Sequence, residues 1–211
     1  MLGANDGLLS TAAIIIGVAA ADASRTALMT AGMAALVAGA LSMAVGEYSS
    51  VSSQRDTELA DLHLERVELA TEPEAELAEL AGIYRRRGLS SALAREVAMA
   101  LTEHDALTAH ARDELNLDPT MLANPAEAAV VSALSFLAGA LPPVLIVAAM
   151  PSSLRVVATV LVTLVALGVL GAVGARLGGA PPRRAVIRVV VGGAIELAVS
   201  NVIGRLVGVA V

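Results

Sequence analysis

Apolar residues fall into five long blocks along the chain. Residues 26–46 contain no charge, 127–150 are interrupted only by Pro142-Pro143, and 154–175 are nearly pure Val, Leu, Ala and Gly. Residues 185–211 form a fourth block that carries Arg188, Glu196 and Arg205, and residues 7–21 form a shorter one at the start. A hydrocarbon core about 30 Å thick takes roughly 20 helical residues, so the pattern predicts five transmembrane helices. The first block is short, and a cleaved signal peptide also has a short apolar core. No basic residue precedes it, however, and Asn5-Asp6 stands at its mouth. It is read as a span that begins almost at Met1 or continues from residues upstream.

Between the second and third blocks the chain is polar and helical in period. The second span is expected to run on through Gln54-Arg55-Asp56, with helical pattern to about residue 79. Pro73 marks a helix start, because proline fits the first helical turn. Residues 82–88 hold two glycines and predict a turn, and 90–103 open another helix that continues through His110 and Glu114 to Pro119. The expected architecture is an all-α membrane protein, with five transmembrane helices and a three-helix cytoplasmic insert between spans 2 and 3. Residues 1–50 carry spans 1 and 2, residues 51–124 the insert, and residues 125–211 spans 3 to 5.

Composition agrees with a membrane chain: 56% of the 211 residues are hydrophobic, 16% are charged, and mean hydropathy is +0.75. Soluble domains run nearer a quarter charged. Without cysteine there is no disulfide, thiolate metal site or cysteine nucleophile, and all 14 basic residues are arginine. A net charge of −6 argues against nucleic acid as a partner. Residues 47–127 hold 17 of the 20 acids and 7 arginines, so the insert is strongly anionic. Eleven arginines lie on the insert side of the five-span topology, against Arg25, Arg155 and Arg205 on the other. The positive-inside rule then puts the insert and N-terminus in the cytoplasm and the C-terminus outside; the expected location is the plasma membrane.

Within the insert, Glu65 and Glu68 are three residues apart, as are Glu76 and Glu79, while His110 and Glu114 are four apart. Each pair shares a helix face. Carboxylate and imidazole donors suit Fe²⁺, Mn²⁺ or Zn²⁺. The spacing is equally that of solvated acidic helices. A di-iron carboxylate enzyme needs Glu-x-x-His steps, whereas Ala60, Leu101 and Leu107 stand three residues before the three histidines. No enzyme motif remains, so the chain is expected not to be an enzyme and to hold no tightly bound cofactor.

Three acids touch the spans: Asp6 opens the first, Glu47 closes the second and Glu196 lies inside the last. Ionisable groups at membrane depth are costly and line pathways or pair inside the bundle. Asp6 is readable as a helix cap, and Glu196 as an ion-pair partner of Arg188 or Arg205. Met43 lies one turn before Glu47 and offers a thioether, or simple packing. Gly192, Glu196, Ser200, Gly204 and Gly208 form a small or polar stripe, as Ala35, Gly39 and Met43 do on the second span. Such stripes favour close helix packing in lipid.

Ala4-Asn5-Asp6-Gly7-Leu8, Ala38-Gly39-Ala40-Leu41-Ser42-Met43 and Gly46-Glu47-Tyr48 resemble the vacuolar iron transporter family, specifically its bacterial members. The resemblance covers essentially the whole chain. It implies a homodimer of five-span protomers in a lipid bilayer, with a translocation path along the dimer axis. It also implies proton-coupled export of Fe²⁺, and often Mn²⁺, from the cytoplasm. By the same resemblance Asp6 and Met43 belong to the path, and Glu65, Glu68, Glu76, Glu79 and Glu114 to a metal-binding insert. The chain has Ala35 where plant and yeast-like members have glutamate, and His110 where they have methionine; Glu47 is a candidate replacement for the missing acid. The family also has a turn upstream of Met1. The rival reading is a non-transporting membrane metal sensor or scaffold; a membrane oxidoreductase is disfavoured because no haem, flavin or di-iron pattern is present.

Overall fold

A computed structural model describes residues 1–210; Val211, the last residue of the expected fifth span, lies outside them. Seven helices and no strand form among the described residues: α1 (Leu2–Ala20), α2 (Arg25–Thr71), α3 (Pro73–Arg86), α4 (Ser91–Asp113), α5 (Pro125–Ala149), α6 (Ser152–Leu177) and α7 (Pro182–Ala210). α1, α2, α5, α6 and α7 are long and apolar enough to cross a membrane. Pro73, Pro125 and Pro182 each open their helix, where a missing N–H costs nothing. The Ser90 hydroxyl caps α4 by accepting from Leu93 N at 3.3 Å.

Several boundaries differ from the sequence reading. Pro142 and Pro143 do not interrupt α5, whose helix runs through both; membrane helices absorb prolines by local adjustment. α2, 47 residues long, runs unbroken through Gln54-Arg55-Asp56 as expected, and ends at Thr71. Gly82 is a buried residue inside α3, and the turn comes later, at Gly88 with φ +102°. α4 stops at Asp113 rather than near Pro119, because Asn116 takes a left-handed φ of 54° and Leu117 N bonds back to Ala111 O. α4 is also broken at Asp105 (φ −164°, ψ 93°).

The chain divides into two compact units. The first contains residues 1–47 and 127–211. Here glycine decides where backbones meet: a Cβ at Gly7 would collide with the Phe136 carbonyl, and one at Gly139 with the Ala4 carbonyl. α1 and α5 therefore pack backbone to backbone, and Ile15, Leu36, Phe136, Ala140, Val144 and Val147 fill the space between α1, α2 and α5. On the other flank of α1, Ala12, Ala13 and Ile16 pack with Leu197 of α7. Gly204 abuts Gly17, and Gly208 abuts Ala21. Outward side chains such as Val37, Leu41, Leu145, Leu161 and Ile195 are apolar and exposed, as a lipid-facing bundle requires.

The second unit spans residues 48–126. The C-terminal half of α2 buries Glu58, Leu62 and Glu65, which recur at i, i+4 and i+7 and so share one face. α3 and α4 pack through Leu80, Ile83, Ala98 and Ala109. The chain after α4 is tied back to α2, since Ala123 N donates to Glu58 Oε2 at 3.0 Å.

Candidate metal centre

Three inward faces of the second unit each contribute a ligand-type side chain. Glu65 comes from α2 beside Leu62, Glu76 from α3 one turn before Leu80, and His110 from the short helical segment after Asp105. Glu114, just past the end of α4, is the fourth. One donor atom from each lies within 4.8 Å of all the others. His110 Nδ1 is 3.0 Å from Glu65 Oε1, 3.2 Å from Glu114 Oε2 and 3.5 Å from Glu76 Oε2. His110 is fully buried, Glu65 is 2% exposed and Glu76 8%, while Glu114 reaches solvent.

This is an uncomfortable arrangement without a cation. Burial, then the neighbouring Glu114, push the Glu65 carboxyl up from 4.5 to about 7, although His110 pulls the other way. Burial likewise raises Glu76, against His110, with Glu79 and Glu68 adding repulsion. Among the described residues His110 Nε2 is buried without a hydrogen-bond partner, and Glu65 Oε1 has only the His110 Nδ1 contact, which the other two carboxylates share. Buried polar atoms are nearly always satisfied, so three carboxylates crowded onto one imidazole nitrogen mark a place for a cation. Three carboxylates and one imidazole make a donor set for a hard or borderline divalent cation.

Of the six expected insert ligands, the structure brings together Glu65, Glu76, His110 and Glu114. Glu68 is half-buried and Glu79 exposed, and neither joins the group; both act on it only through charge. A polar clamp at the end of α4 was not visible in the sequence. Tyr84 Oη donates to Asp113 Oδ2 at 2.6 Å, Arg87 Nη1 donates to Asp113 Oδ1, and the Arg87 guanidinium lies over the Tyr84 ring. The available signal was that Tyr84 is one of three aromatics and Asp113 immediately precedes Glu114.

In the first unit, Met43 and Glu47 line one cavity of about 260 Å³ together with Met1, Gly3, Ser132 and Ser135. Asp6 is not on its wall. It sits within the first turns of α1, whose N-cap is Met1, so it is not the helix cap. Asp6 shares a helical face with Ser10, Ala13 and Gly17, and these three line a second cavity of about 590 Å³ with Glu196, Ser200 and Gly204 of α7. No ion pair joins Glu196 to Arg188 or Arg205 among the described residues.

Comparison with known proteins shows the family. The chain is 42% identical over 207 residues to a protein named "Vacuolar iron transporter" from Acanthamoeba castellanii, covering 98% of this chain and 76% of that one. It is 34% identical over 209 residues to "Vacuolar iron transporter homolog 2" of Arabidopsis thaliana, covering 99% and 82%. With "Vacuolar iron transporter homolog 5" of Oryza sativa it shares 36% over 194 residues, covering 92% and 71%. Residues 1–205 match the model of the VIT family. The chain is a multi-pass membrane protein of the VIT family.

Proposed function

We propose that this chain transports Fe²⁺ out of the cytoplasm across the cell membrane, in exchange for protons, with Mn²⁺ as a second substrate. The observation that carries the reading is the convergence of Glu65, Glu76, His110 and Glu114 from separate helical segments on one point. The second unit, residues 48–126, serves as a cytoplasmic metal-binding domain that collects the cation. Its dense negative charge raises the local cation concentration. The arginine asymmetry of the loops supports the cytoplasmic placement and an external C-terminus. The names of the relatives support iron as substrate.

The path through the membrane uses Asp6, Met43 and Glu47 of two protomers in a homodimer. Met43 and Glu47 offer thioether and carboxylate at one cavity, which suits a borderline cation. Glu196 in the α1–α7 groove, with Asp6 on the face of α1 that carries Ser10, Ala13 and Gly17, continues the series of carboxylates, and a carboxylate that alternately binds a cation and a proton couples the two flows. Dimer formation also shields these charges from acyl chains, where an exposed carboxylate costs a few kcal/mol, roughly.

The test is flux in proteoliposomes loaded with an Fe²⁺-quenched dye under an imposed pH gradient. Wild-type protein is expected to quench the dye only with the gradient, and Asp6→Asn to lose most of the rate. Saturable metal binding without flux would replace this reading with a membrane metal sensor. Flux indifferent to the gradient would remove proton coupling.

A further inference from the structure

We propose that Tyr84, Asp113 and Arg87 form a positioning clamp that sets the affinity of the Glu65/Glu76/His110/Glu114 site for a divalent cation. The inference rests on that site's binding a cation and goes beyond it by assigning residues that touch no ligand. α4 is not a rigid rod: its backbone leaves helical geometry at Asp105, so the segment after it is uncoupled from residues 91–104. That short segment carries His110 and delivers Glu114, two of the four donors.

Both ends of the segment are tied by side chains. At the start, Asp105 recaps it, accepting from Thr108 N at 3.0 Å and from Thr108 Oγ1 at 2.7 Å. At the end, Asp113 accepts from Tyr84 Oη at 2.6 Å and from Arg87 Nη1, and its backbone carbonyl accepts from Arg87 Nη2 at 3.5 Å. Tyr84 and its neighbour Arg87 stem from α3 and the turn after it, and α3 also presents Glu76. One helix therefore supplies a donor and, two turns on, holds the segment that supplies two others. Asp113 lies one turn after His110 and next to Glu114, so its position fixes theirs.

Metal sites tolerate errors of only about 0.2 Å in ligand distance, and loss of an outer-shell partner commonly costs 10–100-fold in affinity. The Tyr84 hydroxyl supplies one bond of this clamp, and phenylalanine keeps the ring and its stacking under Arg87 while removing that bond.

The experiment titrates chelator-stripped, full-length protein in detergent with Mn²⁺, following bound metal by electron paramagnetic resonance. Tyr84→Phe and Asp113→Ala are expected to weaken binding about tenfold and to broaden the bound-Mn²⁺ signal. Asp113→Asn, which keeps an oxygen for the Tyr84 hydroxyl, is expected to recover much of the loss. Ser90→Ala, which removes the cap at the far end of α4, serves as the stability control; it should lower the melting temperature in chelator and leave the affinity unchanged. Tyr84→Phe binding within twofold of wild type would overturn the clamp, as would affinity losses that track melting temperature across all variants, Ser90→Ala included. Wild-type protein that binds no Mn²⁺ would instead overturn the site on which the clamp acts.

Discussion

Glu65→Gln separates the stability of the apo protein from its capacity to bind metal. Glu65 is 2% exposed, and its carboxyl is pushed from 4.5 to about 7, first by burial and then by Glu114. At 1.36 kcal/mol per pH unit, that rise corresponds to about 3 kcal/mol favouring the neutral acid in the folded state. The sign follows from linkage. A group whose pKa rises on folding gives its full stabilisation below the unfolded value and loses it as pH climbs through the folded value. Between pH 4.5 and about 7 the apo second unit should therefore lose up to about 3 kcal/mol from this one side chain. Glutamine has nearly the same shape and no charge, so it should remove this pH dependence. Hydrogen exchange of the full-length protein in chelator reads the effect locally. At pH 8 the amides of residues 60–70 and 106–113 in Glu65→Gln should be up to roughly 100-fold better protected than in wild type, with the difference vanishing near pH 4.5. Adding Mn²⁺ should reverse the order, because bound ligand stabilises only the protein that holds it. Identical pH profiles for the two proteins would refute the assignment of Glu65 as the strained group. So would a glutamine variant less protected at pH 8.

His110→Ala removes the only nitrogen donor and the one neighbour that offsets carboxylate repulsion at Glu65 and Glu76; calorimetric titration should show Mn²⁺ affinity falling by at least tenfold. Gly204→Val places a Cβ against the Gly17 carbonyl, so size-exclusion and thermal melts should report a destabilisation of about 1–3 kcal/mol or more. Gly192→Ala, where a Cβ meets nothing within 4 Å, should change neither. Glu196→Gln should slow proteoliposome flux several-fold while leaving Mn²⁺ binding at the His110 site intact; wild-type flux in this variant would take Glu196 out of the path.

The five apolar helices were legible because a span of about 20 uncharged residues has few other uses. Their ends were not. Pro142-Pro143 predicts a break, but α5 runs through both prolines, and the helical pattern read to about residue 79 is divided at Glu72 between α2 and α3. The metal centre shows the same division. Pairs at i, i+3 predict a shared face, yet three residues turn a helix by about 300°, leaving the second member some 60° off the first. Glu65 turns inward with Leu62, and Glu76 with Leu80 and Ile83, so Glu68 and Glu79 fall to the flanks. Which member of each pair faces the centre is decided by the apolar neighbours that bury it, and that is a property of three packed helices. The Tyr84–Asp113 bond joins residues 29 apart and had no sequence period to reveal it. Asp6 shares its face of α1 with Ser10, Ala13 and Gly17, a grouping that follows from helical period but whose neighbours on α7 do not.

The chemistry of the second unit also sets how tightly it can hold a cation. A site meant to retain metal would use ligands that are already ionised at the working pH, so that protons never compete. Here the most buried carboxylate titrates near 7, so at neutral pH a proton and a divalent cation contend for the same oxygen. Metal must displace that proton to bind, and below pH 7 the apparent Mn²⁺ affinity should fall about tenfold for each pH unit until the other carboxylates begin to titrate. At pH 8 and above the curve should flatten. Calorimetry in buffers of different ionisation heat measures the protons released, and at least one per Mn²⁺ is expected below pH 7 in wild type. Glu65→Gln should release about one fewer. A flat affinity between pH 6 and 8 would mean that Glu65 is ionised before metal arrives, and that the site is built to keep its cation rather than to exchange it.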